Sequence, residues 1–403
     1  MRWALFGAVV ATALVAAASA QAAPQATKLT LTGPHKAAPG QAITFTATLT
    51  AAKKPLPGKA VSLFAGAAAA GTATTDPGGH ARFTVQITAR TKYQARFAPA
   101  QPDAASLAPA SSKTLEVRLA SALTGAIQTF LHAGGKAIAV PGAPVKIRGT
   151  IAPYAAGQHV TIDVFEGNKR VKHTLRSVRS AAQGKGVYSL SYKPKQRGAY
   201  LIRATTPSAS KRAHLYVVKA SAHGGSRGLA VHALQNRLAE LGYLTPVNGF
   251  FNSSTSRAVL AFRKVNGMAR TTSANGAVFR KLARGGGGFH VRYPSAGKHV
   301  EFDWSRQVLV LARGARPVKI LHASSGKPST PTVFGKFHFY RKSPGFNSHG
   351  MYFSNYFIGG YAIHGYDPVP RYAASHGCIR IPNPSAISVY RWINLGDTIY
   401  VYH

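Results

Sequence analysis

SHGCIR, at residues 375–380, contains the one cysteine of this 403-residue chain. A single cysteine cannot form an internal disulfide, so Cys378 is either an intermolecular link or a reactive thiol. The thiolate is the nucleophilic form, and a nearby imidazole helps to produce it by taking the thiol proton. Because His376 stands two residues before Cys378, the stretch favours a reactive thiol.

A second histidine lies upstream in YAIHG, residues 361–365, at the end of a predicted strand. We predict that Cys378 is the nucleophile and that His364 exchanges its proton across a loop. His376 would point to the same side as the thiol if the stretch between them is extended. Backbone N–H groups around Gly377 and Cys378 are expected to hold the oxyanion of the attacked carbonyl.

A catalytic histidine is commonly oriented by a third group, often a carboxylate. Carboxylates are scarce in the C-terminal part of the chain, which offers Glu301, Asp303, Asp367 and Asp397. We therefore expect a backbone carbonyl near Gly365 to orient His364. Gly365 also lets the backbone approach closely or turn sharply at this point.

Two other interpretations of the cysteine remain open. Cys378 could be a small hydrophobic residue buried in a core, or it could form a zinc site with His364 and His376. The chain has no second cysteine and no acid cluster near these residues, which disfavours zinc. The remaining histidines of this region are expected to be ordinary strand or loop residues: His322, His338 and His349.

The region around the cysteine has the alternation of β-strands. Residues 298–324 predict two or three strands with turns at 304–307 and 313–314, and DTIYVYH at 397–403 predicts a closing strand. Residues 384–394 can form one helix with Asn383 as its N-cap. We expect a mostly β domain with one or two short helices.

Three stretches of this region, SSGKPSTPTVFGKF from Ser324, YAIHG and SHGCIR, resemble the L,D-transpeptidase catalytic domain, also called YkuD, over residues 297–402. The resemblance implies that Cys378 attacks the third residue of a peptidoglycan tetrapeptide stem and releases the terminal D-alanine. An amine of a neighbouring stem then takes the acyl group, which makes a 3→3 cross-link. The resemblance also implies that Ser375, Gly365 and Arg380 bind substrate or shape the site, and that the reaction uses no metal and no cofactor.

The loop from His364 to Ser375 is shorter than the commoner spacing in that family, so the acyl acceptor stays open. With water as acceptor the enzyme would be an L,D-carboxypeptidase, and with a protein amine it would anchor proteins to the wall. A third interpretation belongs to another class, a non-catalytic peptidoglycan-binding wall protein.

Residues 224–284 change to helical periodicity, with apolar residues at 231, 234, 238 and 241, then at 258, 259, 262 and 265, and finally at 278, 279 and 282. This pattern predicts a small three-helix module. Its elements V-x-x-L-Q-x-x-L-x-x-L-G-Y and N-G-F-F-x-x-x-T-x-x-A-V-x-x-F resemble the peptidoglycan-binding type 1 domain, although Arg263 stands where Gln is common. Glycines 285–288 follow and predict a flexible linker.

Two stretches of the front half resemble each other. APGQAITFTATLTA from Ala38 is followed by GKAVSLFAG, and VPGAPVKIRGTIAP from Val140 is followed by GQHVTIDVFEG. Short alternating runs broken by Gly and Pro are typical of β-sandwiches. We predict two sandwiches, at residues 27–118 and 119–220, which resemble bacterial Ig-like repeats and would act as a spacer or a wall contact. The fold class is therefore multidomain and mainly β.

The first residues have Arg2, a short apolar run and small residues near position 20, which predict a secretory signal peptide over residues 1–23. An uncleaved short anchor is the alternative. The chain has 50 Lys and Arg against 10 Asp and Glu, a balance that attracts polyanions. For an exported protein of the wall, periplasm or extracellular space, with no membrane span after cleavage, we expect peptidoglycan stem peptides, glycan strands and anionic wall polymers as partners, not nucleic acid.

Overall fold

The computed structural model describes residues 23–403, so the predicted signal peptide lies outside the described residues except for its last position. The described chain is mainly β with four α-helices, which confirms the predicted fold class. It forms two compact units. One contains the chain up to Ser121 together with Pro207–Ala209, and the other contains Ala122–Thr206 and Ser210–His403. Among residues 23–403, no helix combines the length and apolar character needed to cross a membrane.

The first unit is a sandwich of two sheets, because its strands alternate between apolar residues that face inward and polar residues that face solvent. In β3, for example, Phe45, Ala47 and Leu49 are fully buried while the residues between them are not. Its strands are β1 (Thr27–Thr32), β2 (Lys36–Ala37), β3 (Gln41–Ala51), β4 (Lys54–Pro55), β5 (Ala60–Ala65), β6 (Ala68–Thr74), β7 (His80–Ile87), β8 (Thr91–Phe97), β9 (Ala110–Ser111) and β10 (Leu115–Leu119), with a 3-10 turn at Asp103–Ala105. One sheet contains β1, β3, β4 and β7, and the other has the order β2-β10-β8-β5-β6 with β9 beside β8.

The second sandwich lies in the second unit and has its own apolar core. Its strands are β11 (Ala122–Leu123), β12 (Ala126–Gln128), β13 (Leu131–Ala133), β14 (Lys136–Ala139), β15 (Val145–Ala152), β16 (His159–Glu166), β17 (Lys169–Ser177), β18 (Arg179–Ala181), β19 (Lys185–Tyr192), β20 (Gly198–Thr205) and β21 (Ser210–Val217). The order β10-β8-β5-β6 of the first sandwich corresponds to β21-β20-β16-β17 here. In each sandwich the last strand also pairs in parallel with a short early strand, β2 or β14. The repeat in the sequence thus corresponds to a repeat in strand order.

Three helices follow, as the periodicity predicts: α1 (Leu229–Glu240), α2 (Ser253–Val265) and α3 (Gly276–Ala283). Gln235, which the sequence pattern singles out, is fully buried in α1. Its Nε2 donates to the Phe250 carbonyl at 2.8 Å and to Thr255 Oγ1 at 2.9 Å, and its Oε1 accepts from the Gly249 N–H at 2.8 Å. This side chain therefore holds the loop between α1 and α2, a structural task.

The last part of the chain has two sheets and one helix. Its elements are β22 (Lys298–Asp303), β23 (Val308–Arg313), β24 (Arg316–His322), β25 (Gly335–His338), β26 (Arg341–Phe346), β27 (Tyr352–Ile358), β28 (Tyr361–Tyr366), β29 (Ile379–Pro382), α4 (Asn383–Trp392) and β30 (Thr398–Tyr402). The sheets have the orders β24-β23-β22-β30-β25 and β26-β27-β28-β29. The prediction that Asn383 caps the helix is wrong: Pro382 occupies the N-cap position, and Asn383 is the first helical residue.

One apolar core joins the second sandwich, the helices and β24. It contains Leu131 from the sandwich, Phe262 and Phe279 from the helices, and Ile320 from β24. The backbone continues this contact, because the Ile320 N–H donates to the Gly242 carbonyl at 2.8 Å. The helical module is therefore packed between the two β parts of this unit.

Glycines 285–288 are part of this packing, which differs from the flexible tether expected from their composition. The Gly287 carbonyl accepts a hydrogen bond from the buried Tyr243 hydroxyl at 2.7 Å. Gly287 has φ +102°, and a Cβ there would lie 2.2 Å from the Phe262 ring. The segment is a glycine strap that lets the backbone pass close to an aromatic core.

Replacing Gly287 with Ala should lower the free energy of unfolding by about 1–3 kcal/mol, because the added methyl group collides with Phe262. Gly288→Ala is the matched control, since the nearest atom to its Cβ is 3.8 Å away, and it should change stability by less than about 0.5 kcal/mol. Denaturant unfolding measures both. Equal stability of the two variants would show that the segment is a flexible tether.

Candidate active site

The cysteine and the upstream histidine are brought together by two parallel strands. β28 pairs with β29 so that Ile363 lies opposite Ile379 and His364 opposite Arg380. Both isoleucines are fully buried, so the residues that alternate with them lie on the other face. Cys378 directly precedes β29, two positions before Arg380, which makes it a diagonal neighbour of His364. Cα atoms in such diagonal positions of a sheet are roughly 7–8 Å apart.

The sulfur of Cys378 lies against the backbone of β28. Its thiol donates to the Gly360 carbonyl, with 3.7 Å between Sγ and the oxygen. Burial raises the pKa of the Cys378 thiol, while the Ala362 N–H and the Arg380 charge act in the opposite direction. In the described chain this thiol hydrogen bond goes to a carbonyl and not to the imidazole. The resting cysteine is therefore a protonated thiol near neutral pH.

His364 is 4% exposed, and its Nδ1 lies 2.8 Å from the carbonyl oxygen of Gly365. A carbonyl oxygen only accepts, so Nδ1 carries the hydrogen and Nε2 keeps the lone pair of a base. This confirms that a backbone carbonyl at Gly365 orients the ring. Burial lowers the pKa of His364 to about 4, opposed by the Gly365 carbonyl and assisted by the Arg380 charge. The imidazole is neutral at pH 7.

The turn before the cysteine is closed by hydroxyl groups. Ser375 Oγ donates to the Cys378 carbonyl at 2.6 Å and accepts from the Gly377 N–H at 3.1 Å. Thr332 Oγ1 donates to the Gly377 carbonyl at 2.6 Å. Ser375 is 1% exposed, so it shapes the turn, one of the two roles predicted for it. The Gly377 N–H, one of the predicted oxyanion donors, is bonded to Ser375 Oγ in this structure.

Gly377 is glycine for a steric reason. Its φ is +120°, and a Cβ would lie 2.1 Å from the Tyr361 ring. This turn breaks the extended backbone that would place His376 on the same side as Cys378. His376 is exposed. Within residues 23–403 no three His, Cys, Asp or Glu side chains form a metal-binding cluster.

Arg380 and Gly365, the other two residues predicted to bind substrate, pack against neighbouring parts of the domain. The Arg380 guanidinium lies 3.9 Å from the centre of the Tyr366 ring, and its Nη1 donates to the Ala374 carbonyl at 3.3 Å. Gly365 is buried, and a Cβ there would lie 2.5 Å from Asn383 Oδ1. Gly365 therefore lies under α4 and positions His364.

The loop before the cysteine, residues 367–374, is also held by the helical module. Lys264 of α2 is 3% exposed, and its Nζ lies 2.7 Å from His322 Nδ1 and 3.0 Å from the Ala323 carbonyl oxygen. His322 Nε2 lies 3.3 Å from the Val369 carbonyl oxygen. That oxygen only accepts, so Nε2 carries the hydrogen and Nδ1 accepts from the lysine amine. A buried amine of one module thus connects to the active-site loop of another.

A second contact holds the same loop. Arg270 Nη1 donates to the Arg371 carbonyl at 3.0 Å, and Arg371 Nη1 donates to the Arg270 carbonyl at 3.2 Å. Lys264 and Arg270 could not be predicted from the sequence because their partners are far away in the chain. One available signal was the apolar run at residues 258–262, which is wider than a single helix face and indicates burial on several sides.

The sequence matches two known families. Residues 297–401 match the L,D-transpeptidase catalytic domain, YkuD, and residues 227–282 match a peptidoglycan binding domain. The chain therefore carries a transpeptidase-type catalytic domain together with a peptidoglycan-binding domain, as two of the predicted resemblances state. No curated protein sequence matches the chain.

Solved structures include similar chains. An L,D-transpeptidase fragment from Xylanimonas cellulosilytica is 32% identical, with 46% of this chain and 98% of that one covered and a TM-score of 0.44. The L,D-transpeptidase from Mycobacterium smegmatis is 13% identical, with 70% and 100% covered and a TM-score of 0.24. The catalytic domain from Enterococcus faecium is 24% identical, with 27% and 98% covered and a TM-score of 0.24. By the family match, residues 297–401 of this chain are an L,D-transpeptidase catalytic domain of the YkuD type.

Alkylation of the folded protein tests the protonation state of the resting site. Because burial raises the pKa of the thiol, iodoacetamide should react slowly at pH 7, and the rate should rise with a midpoint above the ordinary thiol value. His364→Ala should leave this midpoint nearly unchanged, since the imidazole does not hold the thiolate. Fast alkylation at neutral pH that His364→Ala abolishes would instead show a preformed ion pair.

Lys264→Met should loosen the loop that precedes the cysteine. The change leaves the His322 ring nitrogen and the Ala323 carbonyl without the donor they have in the structure, which should cost about 1–3 kcal/mol of stability. It should also speed hydrogen exchange at residues 367–374, as Arg270→Ala should. Lys281→Met, at an exposed position of α3, is the control. Unchanged exchange in both loop variants would show that the helical module does not hold this loop.

Proposed function

We propose that this protein is an exported cysteine L,D-transpeptidase that cross-links or remodels peptidoglycan through a thioester on Cys378. The observation that carries the proposal is the pairing of β28 with β29 inside the segment that matches the transpeptidase family. The proposal is supported by this pairing, which makes His364 a diagonal neighbour of Cys378, and by the hydrogen bond that orients the neutral imidazole on the Gly365 carbonyl. The arrangement suits general-base activation of a nucleophile.

In the first half-reaction, Sγ of Cys378 attacks the carbonyl carbon of the third residue of a tetrapeptide stem, and its proton passes to Nε2 of His364. The carbonyl oxygen becomes an oxyanion, for which we assign the Cys378 N–H as donor, because the Gly377 N–H is bonded to Ser375. When the C–N bond breaks, the imidazolium gives its proton to the departing D-alanine amine. The stem remains as a thioester.

In the second half-reaction an acceptor amine attacks the thioester carbonyl. The amine loses a proton to His364, the C–S bond breaks, and the sulfur recovers a proton as the thiol. The product is a new amide between two stems, a 3→3 cross-link when the acceptor is the third residue of another stem. His376, exposed beside the thiol, is proposed to contact the substrate.

The pKa of His364, about 4, makes it a weak base at rest. Burial opposes separation of charge between the thiol and the imidazole. Proton transfer therefore accompanies attack on the carbonyl, when negative charge moves from sulfur onto the substrate oxygen. The Arg380 charge stabilises both the thiolate and that oxyanion.

The remaining parts of the chain would keep the enzyme on its substrate. The peptidoglycan-binding module would bind glycan strands or stem peptides and raise the effective concentration of substrate at the active site. The two sandwiches, which we interpret as Ig-like repeats, would act as a spacer or a wall contact. Export by the signal peptide would bring the protein to the wall, the periplasm or the extracellular space.

Incubation of the purified chain with defined tetrapeptide stems, followed by mass spectrometry, tests the proposal. Dimers joined 3→3 and released D-alanine are expected, while tripeptides alone would identify a carboxypeptidase. Cys378→Ala should remove all turnover but leave binding to isolated sacculi intact. His364→Ala should slow turnover by about 10²–10⁴-fold, and His349→Ala, at an exposed loop position, should have no effect. Unchanged turnover in Cys378→Ala would refute the catalytic assignment.

A further inference from the structure

The second sandwich has a basic groove on the side where its two sheets end. β17 and β18 are the edge strands of the two sheets, and the groove between them has a volume of about 470 Å³. Four cations line it: Lys146 and Arg148 from β15, Arg176 from β17 and Arg179 from β18. All four are exposed, so their charges face the groove from both sheets.

No carboxylate neutralises these cations in the described structure. The sandwich has two acids, Asp163 and Glu166. Asp163 is already surrounded by Arg170, His173 and Arg203, and neither acid lines the groove. The groove therefore keeps an uncompensated positive potential, which a bound anion would relieve.

A second cavity continues the groove toward the helical module. It has a volume of about 930 Å³ and shares Lys146 and Ser189 with the first. Arg284, at the end of α3, adds a fifth cation at its far side. The two cavities thus form one elongated site, which crosses from the sandwich to the helices within the second compact unit.

An aromatic ring lies in this second cavity. Phe130 is 49% exposed although it is a large apolar side chain. Its ring is held from behind, because a Cβ at Gly285 would lie 2.6 Å from it and the Arg237 guanidinium is 5.2 Å from its centre. A fixed ring with an exposed face suits the apolar face of a sugar or polyol unit.

We propose that this elongated groove binds a linear anionic glycopolymer, a chain of sugar or polyol units with a phosphate or a carboxylate on each repeat. The cations are spread along the groove and do not converge on one point, as a linear polymer requires. Lys146 and Arg148, for example, lie two residues apart on one strand, a separation of about 6.6 Å. Exposed serines at 189 and 191 lie opposite them on β19 and offer hydrogen bonds to hydroxyl groups. The site is separate from the thiol and would fix the enzyme to a wall polymer other than its substrate.

The test measures binding of the purified chain to poly(glycerol phosphate), polygalacturonate, polyphosphate, neutral dextran and a short DNA duplex at two salt concentrations. The groove variant carries Gln at Lys146, Arg148, Arg176 and Arg179. The control variant carries Gln at four exposed lysines of the first sandwich: Lys28, Lys53, Lys54 and Lys113. Both variants lose four positive charges, so the comparison separates the groove from the net charge.

The groove variant should lose about tenfold in affinity for at least one glycopolymer, as four exposed ion pairs imply, while the control variant should lose less than twofold. Phe130→Ala should weaken binding of polygalacturonate more than binding of polyphosphate. Preference for poly(glycerol phosphate) or for polygalacturonate identifies the phosphate or the carboxylate as the recognised anion. Dextran should not bind.

Equal losses in the groove and control variants would overturn the proposal, because the affinity would then come from net charge alone. DNA binding that is as tight and as groove-dependent as glycopolymer binding would overturn the choice of ligand. Thermal unfolding checks that each variant is folded. Turnover of tetrapeptide stems should be unchanged in the groove variant. A failure of the groove proposal can therefore be distinguished from a failure of the catalytic proposal.

Discussion

The parallel pairing of β28 with β29 is the constraint on which the catalytic site depends. His364 and Cys378 are separated by a loop, and only this register makes them diagonal neighbours. The register is fixed by burial, because a shift of one residue would turn Ile363 and Ile379 out of the core and turn the histidine into it. On its other side the strand is held by Ser324, whose N–H and carbonyl both pair with the Arg380 backbone. The site is thus positioned by the packing of the domain.

The same burial keeps the resting site uncharged. The thiol lies between a carbonyl at Gly360, which favours the protonated sulfur, and an N–H at Ala362, which favours the thiolate. The imidazole is buried and has a low pKa. Transfer of the thiol proton to the imidazole would therefore be unfavourable without substrate. A neutral pair is protected from oxidation and alkylation, since both reactions require the thiolate. Such protection would be valuable if the protein is exported, as we propose, to a compartment outside the reducing cytosol.

The sequence was sufficient for the local features. A strand at His364, the three helices and the alternation in both sandwiches follow from periodicities of two and 3.6 residues, which depend on neighbours in the chain, although the strand continues to Tyr366 and does not end at His364. The carbonyl that orients His364 could also be predicted, because carboxylates are scarce. The predictions that were wrong depended on distant or competing contacts. Asn383 is displaced from the N-cap by Pro382, and glycines 285–288 pack on Phe262, although their composition alone indicates flexibility.

Because the helical module is packed against β24, it can contribute more to the protein than a wall-binding module on a flexible tether would. A module on a flexible tether only raises the local concentration of substrate, and every orientation must still be sampled. Here the module shares an apolar core with β24, and Lys264 and Arg270 reach the loop before the cysteine. A polymer bound to this module would therefore meet the thiol from a restricted set of directions. Because orientation contributes to the rate as well as to binding, the proposed function predicts that the buried lysine affects the reaction although it lies outside the catalytic domain.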